Sequence, residues 1–180
     1  MRNIYNILAI LFTLLCAVSC STGDVEVSDM ANQYNKATLV KIGDLAPDFT
    51  AKSVEGDDLT LSALQGKTVL LVFFSTKNKS SKKLMNRLVE VNNLFSEDKF
   101  AILAISRGDK RSVVYDYIND NGYQFPIGLD LDSSIYTLYA TNYIPRCFVV
   151  DPLGRIEALS VEYDEEEFGR VVDIIHLLLW

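Results

Sequence analysis

The run TVLLVFF at residues 68–74 constrains the fold of this chain more than any other stretch. A strand with one wet face alternates polar and apolar residues, but this run is uninterrupted, β-branched and aromatic, as in a strand covered on both faces. Such a strand needs a layer above and a layer below it, which predicts an α/β architecture. Polar residues 75–79 follow, and then SSKKLMNRLVEVNNLF, in which Leu84, Leu88, Val91 and Phe95 recur at helical spacing and predict one buried helix face. FAILAIS (100–106) reads as a second buried strand, RSVVYDYINDNG (111–122) as a helix closed by Asn121-Gly122, and SSIYTLYA (133–140) as a shorter helix. RCFVVD (146–151), the turn Asp151-Pro152-Leu153-Gly154 and RIEALSV (155–161) read as an antiparallel hairpin. A last helix is expected from near Asp164 to Trp180, with Glu165, Glu166 and Glu167 in its first turn complementing the helix dipole. FTAKS (49–53) and DLTLS (58–62) predict an extra N-terminal β-hairpin. The expected whole is a mixed central sheet with helices on both faces.

The N-terminus reads as an address. Residues 1–19 start with a single Arg2, pass through the apolar run ILAILFTLLCAV and end on the small residue Ser19. The run is shorter than the roughly 20 residues that span a bilayer as a helix, so export is favoured over a retained span. Leu15-Cys16-Ala17-Val18-Ser19-Cys20 resembles the lipobox of bacterial lipoproteins, with Ala17 where Leu is usual. The alternative is an ordinary signal peptide cut after Ala17-x-Ser19. The lipobox implies cleavage before Cys20, lipidation of that cysteine and a place in the bacterial cell envelope, on a membrane face that the sequence leaves open. Residues 20–42, polar and without evident periodicity, are then expected to form a flexible tether, and residues 43–180 the folded domain.

Composition narrows the chemistry. Among 180 residues, 17 Lys and Arg stand against 24 Asp and Glu, for a formal charge of -7, which argues against nucleic acid as a partner. Three cysteines and one histidine are too few for a zinc finger or a disulfide framework, and no metal or other cofactor is expected. With Cys16 removed and Cys20 acylated, Cys147 is the only free thiol, and an intrachain dithiol cannot exist.

Several strings resemble one known family. GDLAPDF (43–49) is similar to the opening motif of the redoxins, which include peroxiredoxins of the AhpC/TSA type and membrane-tethered thiol-disulfide oxidoreductases of the TlpA and ResA type. LSALQGKTVLLVFFST (61–76) resembles the stretch that follows in that family, and CFVVDPLGRI (147–156) resembles its closing hairpin. Ile144-Pro145 sits where the family has its cis-proline. The resemblance covers residues 43–180 and implies a thioredoxin-like fold. It also implies a Trp-Cys-x-x-Cys pattern that would fall on KNKSS, where Asn78 and Ser81 occupy the two thiol positions. A peroxidatic cysteine near Thr76 is missing as well, because residues 75–83 contain none in any alignment.

Disulfide exchange needs one thiolate to attack and a second thiol to resolve the mixed disulfide. A helix N-terminus lowers a thiol pKa, but it cannot make an amide nucleophilic. Asn78 instead suits an N-cap, with Ser81 as a first-turn hydroxyl. Cys147, within the apolar string Cys147-Phe148-Val149-Val150, is expected to be a buried and inert thiol. An oxidoreductase using Cys147, alone or with a partner's thiol, is the alternative. His176 in the last helix is expected to pack rather than act as a base.

In the family, the peptide group before the cis-proline pairs with an extended substrate, so Ile144 could bind a strand without any thiol. Residues 77–111 hold nine basic and four acidic residues, against three and twelve in residues 112–180. Lys77, Lys79, Lys82 and Lys83 cluster at a helix N-terminus, where cations cost roughly 0.3 to 1 kcal/mol each. An anion would compensate, with Arg107, Lys110 and Arg111 following the adjacent strand. A solvated charged loop is the plainer alternative. Arg107-Gly108-Asp109 also spells an adhesion tripeptide, a triplet common in loops. The expected protein is a lipid-anchored module with a degenerate site that binds a peptide, an acidic protein or a small anion.

Overall fold

The computed structural model describes the backbone of residues 23–180 and the side chains from residue 29 onward, so the expected signal peptide and Cys20 lie outside the described residues. The first element is a helix, α1 (Gly23–Ala37), where the sequence predicted an aperiodic tether. Val27, Met30, Tyr34 and Ala37 do recur at helical intervals in the sequence, and Lys36 in the last turn suits the dipole. Exposed polar side chains dominate residues 29–36, and that polarity hid the period. Residues up to Asn35 form a unit of their own, and residues 36–180 form another, to which everything below refers. Among the described residues no helix is long and apolar enough to cross a membrane.

The second unit is built on a seven-stranded sheet of β1 (Thr50–Ser53), β2 (Asp58–Thr60), β3 (Thr68–Phe74), β4 (Phe100–Arg107), β5 (Ile127–Asp130), β6 (Arg146–Val150) and β7 (Ile156–Val161), in the order β2-β1-β5-β4-β3-β6-β7. β3, β4 and β5 run parallel, and the remaining neighbours pair antiparallel. All seven residues of β3 are buried, as an unbroken apolar run demands. Its side chains alternate between two cores. Leu70, Val72 and Phe74 meet α2 (Lys79–Asn92) through Leu84 and Leu88, α3 (Arg111–Asn121) through Val114, and α4 (Glu165–Leu179) through Phe168, Val171 and Ile175. Val69, Leu71 and Phe73 meet Phe148, Tyr136, Tyr139 and Leu61 on the other side. Burying a side chain such as Leu84 or Leu88 contributes about 1.5 to 3 kcal/mol, so these two cores dominate the stability.

The three α-helices of this unit pack into one core on one face, α2 and α3 because the β3-α2-β4-α3-β5 crossovers step across the sheet in one direction. Helical cover on the other face comes from 3-10 turns at Leu61–Leu64 and Tyr136–Leu138, the second in place of the longer helix predicted over 133–140. β5 is a strand that the sequence pattern does not announce. It is four residues long, and its Gly128 leaves no room for a side chain, since a Cβ there would lie 2.8 Å from that of Ala51. Gly122 closes α3 in the left-handed conformation (φ 67°), as Asn121-Gly122 foretold. The N-terminal hairpin forms from β1 and β2 as expected.

Candidate functional site

β3 delivers the chain to the N-terminus of α2 through residues 75–78. Asn78 is extended (φ -88°, ψ 127°) and its side-chain oxygen accepts from the Ser81 amide at 2.8 Å, so it caps the helix. Ser81 is fully buried, and its hydroxyl accepts from the Ser75 amide at 3.3 Å. Asn78 and Ser81, on which the resemblance would put the two thiols, therefore both fold the turn.

Asp109 holds the same turn from beyond the end of β4. Its buried carboxylate accepts from the Thr76 amide at 2.7 Å, the Ser106 hydroxyl at 3.1 Å and the Ser75 hydroxyl at 3.3 Å. An adhesion tripeptide would need this carboxylate exposed, so the structure removes that reading. The sequence drew attention to Asp109 only as the end of that triplet.

The opposite wall is the loop before β6. The Ile144–Pro145 peptide is cis, and the Pro145 carbonyl accepts from the Glu162 amide at 2.7 Å. β3 and β6 pair with Phe73 opposite Arg146, so continuing the register sets Ile144 level with Ser75. Ile144 is half-buried, and among the described residues its backbone N–H and C=O have no hydrogen-bond partner. Two non-glycine residues in the left-handed region flank it, Tyr143 (φ 68°) and Glu162 (φ 62°). Such conformations cost roughly 1 to 3 kcal/mol and persist where the surroundings over-determine them.

Lys77, Lys79, Lys82 and Lys83 are all exposed around the start of α2. Lys77 and Lys82 face Asp116 and Asp120 of α3 across an open cleft also lined by Thr76, Val113 and Tyr117. The two aspartates are an acidic wall that charge counting along the chain could not place. Arg107 does not join the lysines. Alternation along β4 turns it to the other face, where its guanidinium lies 4.0 Å over the Tyr136 ring and donates to the Ser133 hydroxyl at 3.3 Å. Arg111 is likewise engaged, donating to the Val54 carbonyl.

Cys147 sits on β6 with only 1% of its surface exposed, in the core shared with α4. Burial pushes its thiol up to about 12, with Ser160's hydrogen bond opposing and Glu167's charge adding to the rise. At neutral pH it is neither ionised nor reachable. His176 packs its ring 4.7 Å from that of Phe95.

Comparison with known proteins gives a consistent picture. The model of the AhpC/TSA family matches residues 42–159. The thiol-disulfide oxidoreductase ResA of Geobacillus thermodenitrificans is 28% identical over 129 residues, covering 72% of this chain and 74% of its own length. ResA of Bacillus subtilis is 24% identical over 155 residues, covering 86% and 83%. Among solved structures, a candidate protein disulfide isomerase from Bacteroides thetaiotaomicron is 32% identical with a TM-score of 0.73, covering 79% of this chain and 92% of that one. A candidate thiol:disulfide interchange protein DsbE from Chlorobium tepidum has a TM-score of 0.74 at 19% identity, covering 78% and 99%, a likeness of fold.

Proposed function

The chain belongs to the AhpC/TSA family, and from that premise we propose that it is a lipid-anchored binding protein of the bacterial cell envelope, without thiol catalysis, that holds an extended acidic partner along the Ile144 edge. Its fold is thioredoxin-like and its family is a redoxin family of the thiol-disulfide oxidoreductase type. That chemistry requires an attacking and a resolving thiol. Residues 75–83 hold neither, Asn78 and Ser81 are committed to the turn, and Cys147 is buried with a raised pKa.

The observation that carries the reading is Ile144. Its donor and acceptor, unpaired among the described residues and level with the turn that leads into α2, offer a strand-addition site that needs no sulfur. The four exposed lysines add a positive field on the α2 side, which favours an acidic peptide, an acidic protein or a small anion. The apolar leader and the Cys20 motif support export and acylation, with the mature chain starting at Cys20 and leading through α1 to a folded unit that begins at Lys36 rather than at the expected residue 43.

Two measurements test this. Purified protein is expected to show no dithiol-dependent reduction of insulin disulfides, and turnover lost in Cys147→Ser would favour the oxidoreductase reading instead. Intact mass is expected to show an acylated Cys20 as the first residue and Cys20→Ala to leave the membrane fraction, whereas an unmodified Cys20 would reject the anchor.

A further inference from the structure

Arg146 follows Pro145 on β6 and is completely buried, on the face of the sheet that carries Tyr136 and Phe148. A buried cation normally needs dense compensation, and here neutral oxygens supply it. Nε donates to the Asn142 carbonyl at 2.9 Å and the Tyr143 carbonyl at 3.2 Å, and Nη2 to the Asn142 carbonyl at 2.8 Å. Nη1 donates to the Thr38 hydroxyl at 2.7 Å. The Tyr136 hydroxyl donates to the same two carbonyls, at 2.5 Å to Asn142 and 2.6 Å to Tyr143. Two side chains thus grip the carbonyls just before Ile144, and their grip accounts for a Tyr143 held at φ 68°.

The partner on the far side of the guanidinium comes from the first residues of the unit, ahead of those that the family model matches. Thr38 is the residue after α1 and lies before residue 42, where the match to the family model begins. Residues 37–39 run antiparallel to 139–141. The Leu39 amide donates to the Tyr139 carbonyl and the Thr141 amide to the Ala37 carbonyl, both at 2.9 Å, with Thr38 bridged to Ala140. The segment through which the N-terminal region joins the domain therefore forms one wall of the loop that ends in Ile144.

We propose that Arg146 is a positioning residue for the Ile144 edge, and that Thr38 makes the segment following α1 a working part of it. Arg146 touches no partner itself and sets the carbonyl geometry of Asn142 and Tyr143, while Thr38 fixes the guanidinium. Coupling of this kind is reciprocal, so a partner bound at Ile144 tightens residues 37–39, and disorder in that segment weakens binding. For binding, the inference rests on the strand-addition reading above. The coupling within the loop does not.

Hydrogen exchange on the full chain separates the two. Arg146→Met removes a buried cation and risks unfolding, so the informative pair is Thr38→Val, which deletes the hydroxyl at constant shape, and Thr38→Ser, which restores it. Thr38→Val is expected to speed exchange of the Tyr143 and Glu162 amides about tenfold while the β3 and β4 amides stay protected, and Thr38→Ser to return wild-type rates. Unchanged Tyr143 and Glu162 rates in Thr38→Val, or a Thr38→Ser that behaves like Thr38→Val, would overturn the proposal. An acidic decapeptide added to the same samples is expected to bind Thr38→Val several-fold more weakly than wild type or Thr38→Ser. Equal binding to all three would overturn the coupling to the edge, and binding to none would defeat the strand-addition reading while the exchange rates still decide the coupling within the loop.

Discussion

Replacing Asp109 with alanine tests how the site's turn is held. The carboxylate accepts three hydrogen bonds, and only one of its donors is a backbone group with no freedom to turn, the Thr76 amide at 2.7 Å. The Ser75 and Ser106 hydroxyls can rotate toward other acceptors, so the fixed loss is one charge-assisted bond and one buried amide left unpaired. A hydrogen bond to a charged group contributes about 1.5 to 3 kcal/mol, and a buried orphan donor costs about 1 to 3 kcal/mol. These describe one event from its two sides, so Asp109→Ala is expected to destabilise by about 3 kcal/mol, and Asp109→Asn, which keeps an acceptor, by about 1 kcal/mol. Urea unfolding followed by circular dichroism reads the change as a lower midpoint at constant slope. Loss of about 3 kcal/mol from a total of about 5 to 15 is readily resolved. An Asp109→Ala variant within about 0.5 kcal/mol of wild type would refute the claim that this carboxylate pins the turn.

Two further predictions concern the thiols. Cys147, raised to about 12 from 9.0 by burial, is expected to resist iodoacetamide at pH 8 until the protein is unfolded. Because the folded thiol keeps its proton where the unfolded one loses it, stability falls from about pH 9 to 12, and Cys147→Ala should flatten that slope in urea titrations at several pH values. The double variant Asn78→Cys with Ser81→Cys is expected to regain insulin-reducing activity, since α2 still presents its N-terminus. An inert but folded double variant would show that the thiol positions have been misplaced.

The elements readable in the sequence were those whose stability is local or repeats along the chain. β3 spans the run 68–74 as read, the Asn78 cap needs only a residue three positions on, and α4 opens at Asp164, whose carboxylate accepts from the Glu166 and Glu167 amides. What escaped was set by distant partners. β5 is a strand only because β1 and β4 flank it, and a four-residue stretch containing Gly128 carries too little pattern to announce that. Arg146 reads as a polar interruption at the start of a strand, and one of the oxygens that meet it in the core, that of Thr38, is 108 residues away. Proximity in sequence groups Arg107 with the lysines, yet a strand's period of two sends it to the other face. Charge counts along a chain carry no such directions.

Titration of isotope-labelled protein with extended decapeptides of acidic, neutral and basic composition, at low and physiological salt, tests the central claim most directly. The Ile144 amide, unpaired among the described residues, is expected to shift on adding the acidic peptide, and the shift to weaken with salt because exposed lysines are screened over about 8 Å at physiological ionic strength. Changing Lys77, Lys79, Lys82 and Lys83 together to Gln should weaken binding without loss of stability, since none of them belongs to the buried stripe of α2. A resonance at Ile144 that ignores all three peptides at both salt concentrations, in a protein whose amide spectrum is otherwise that of a folded domain, would contradict the account.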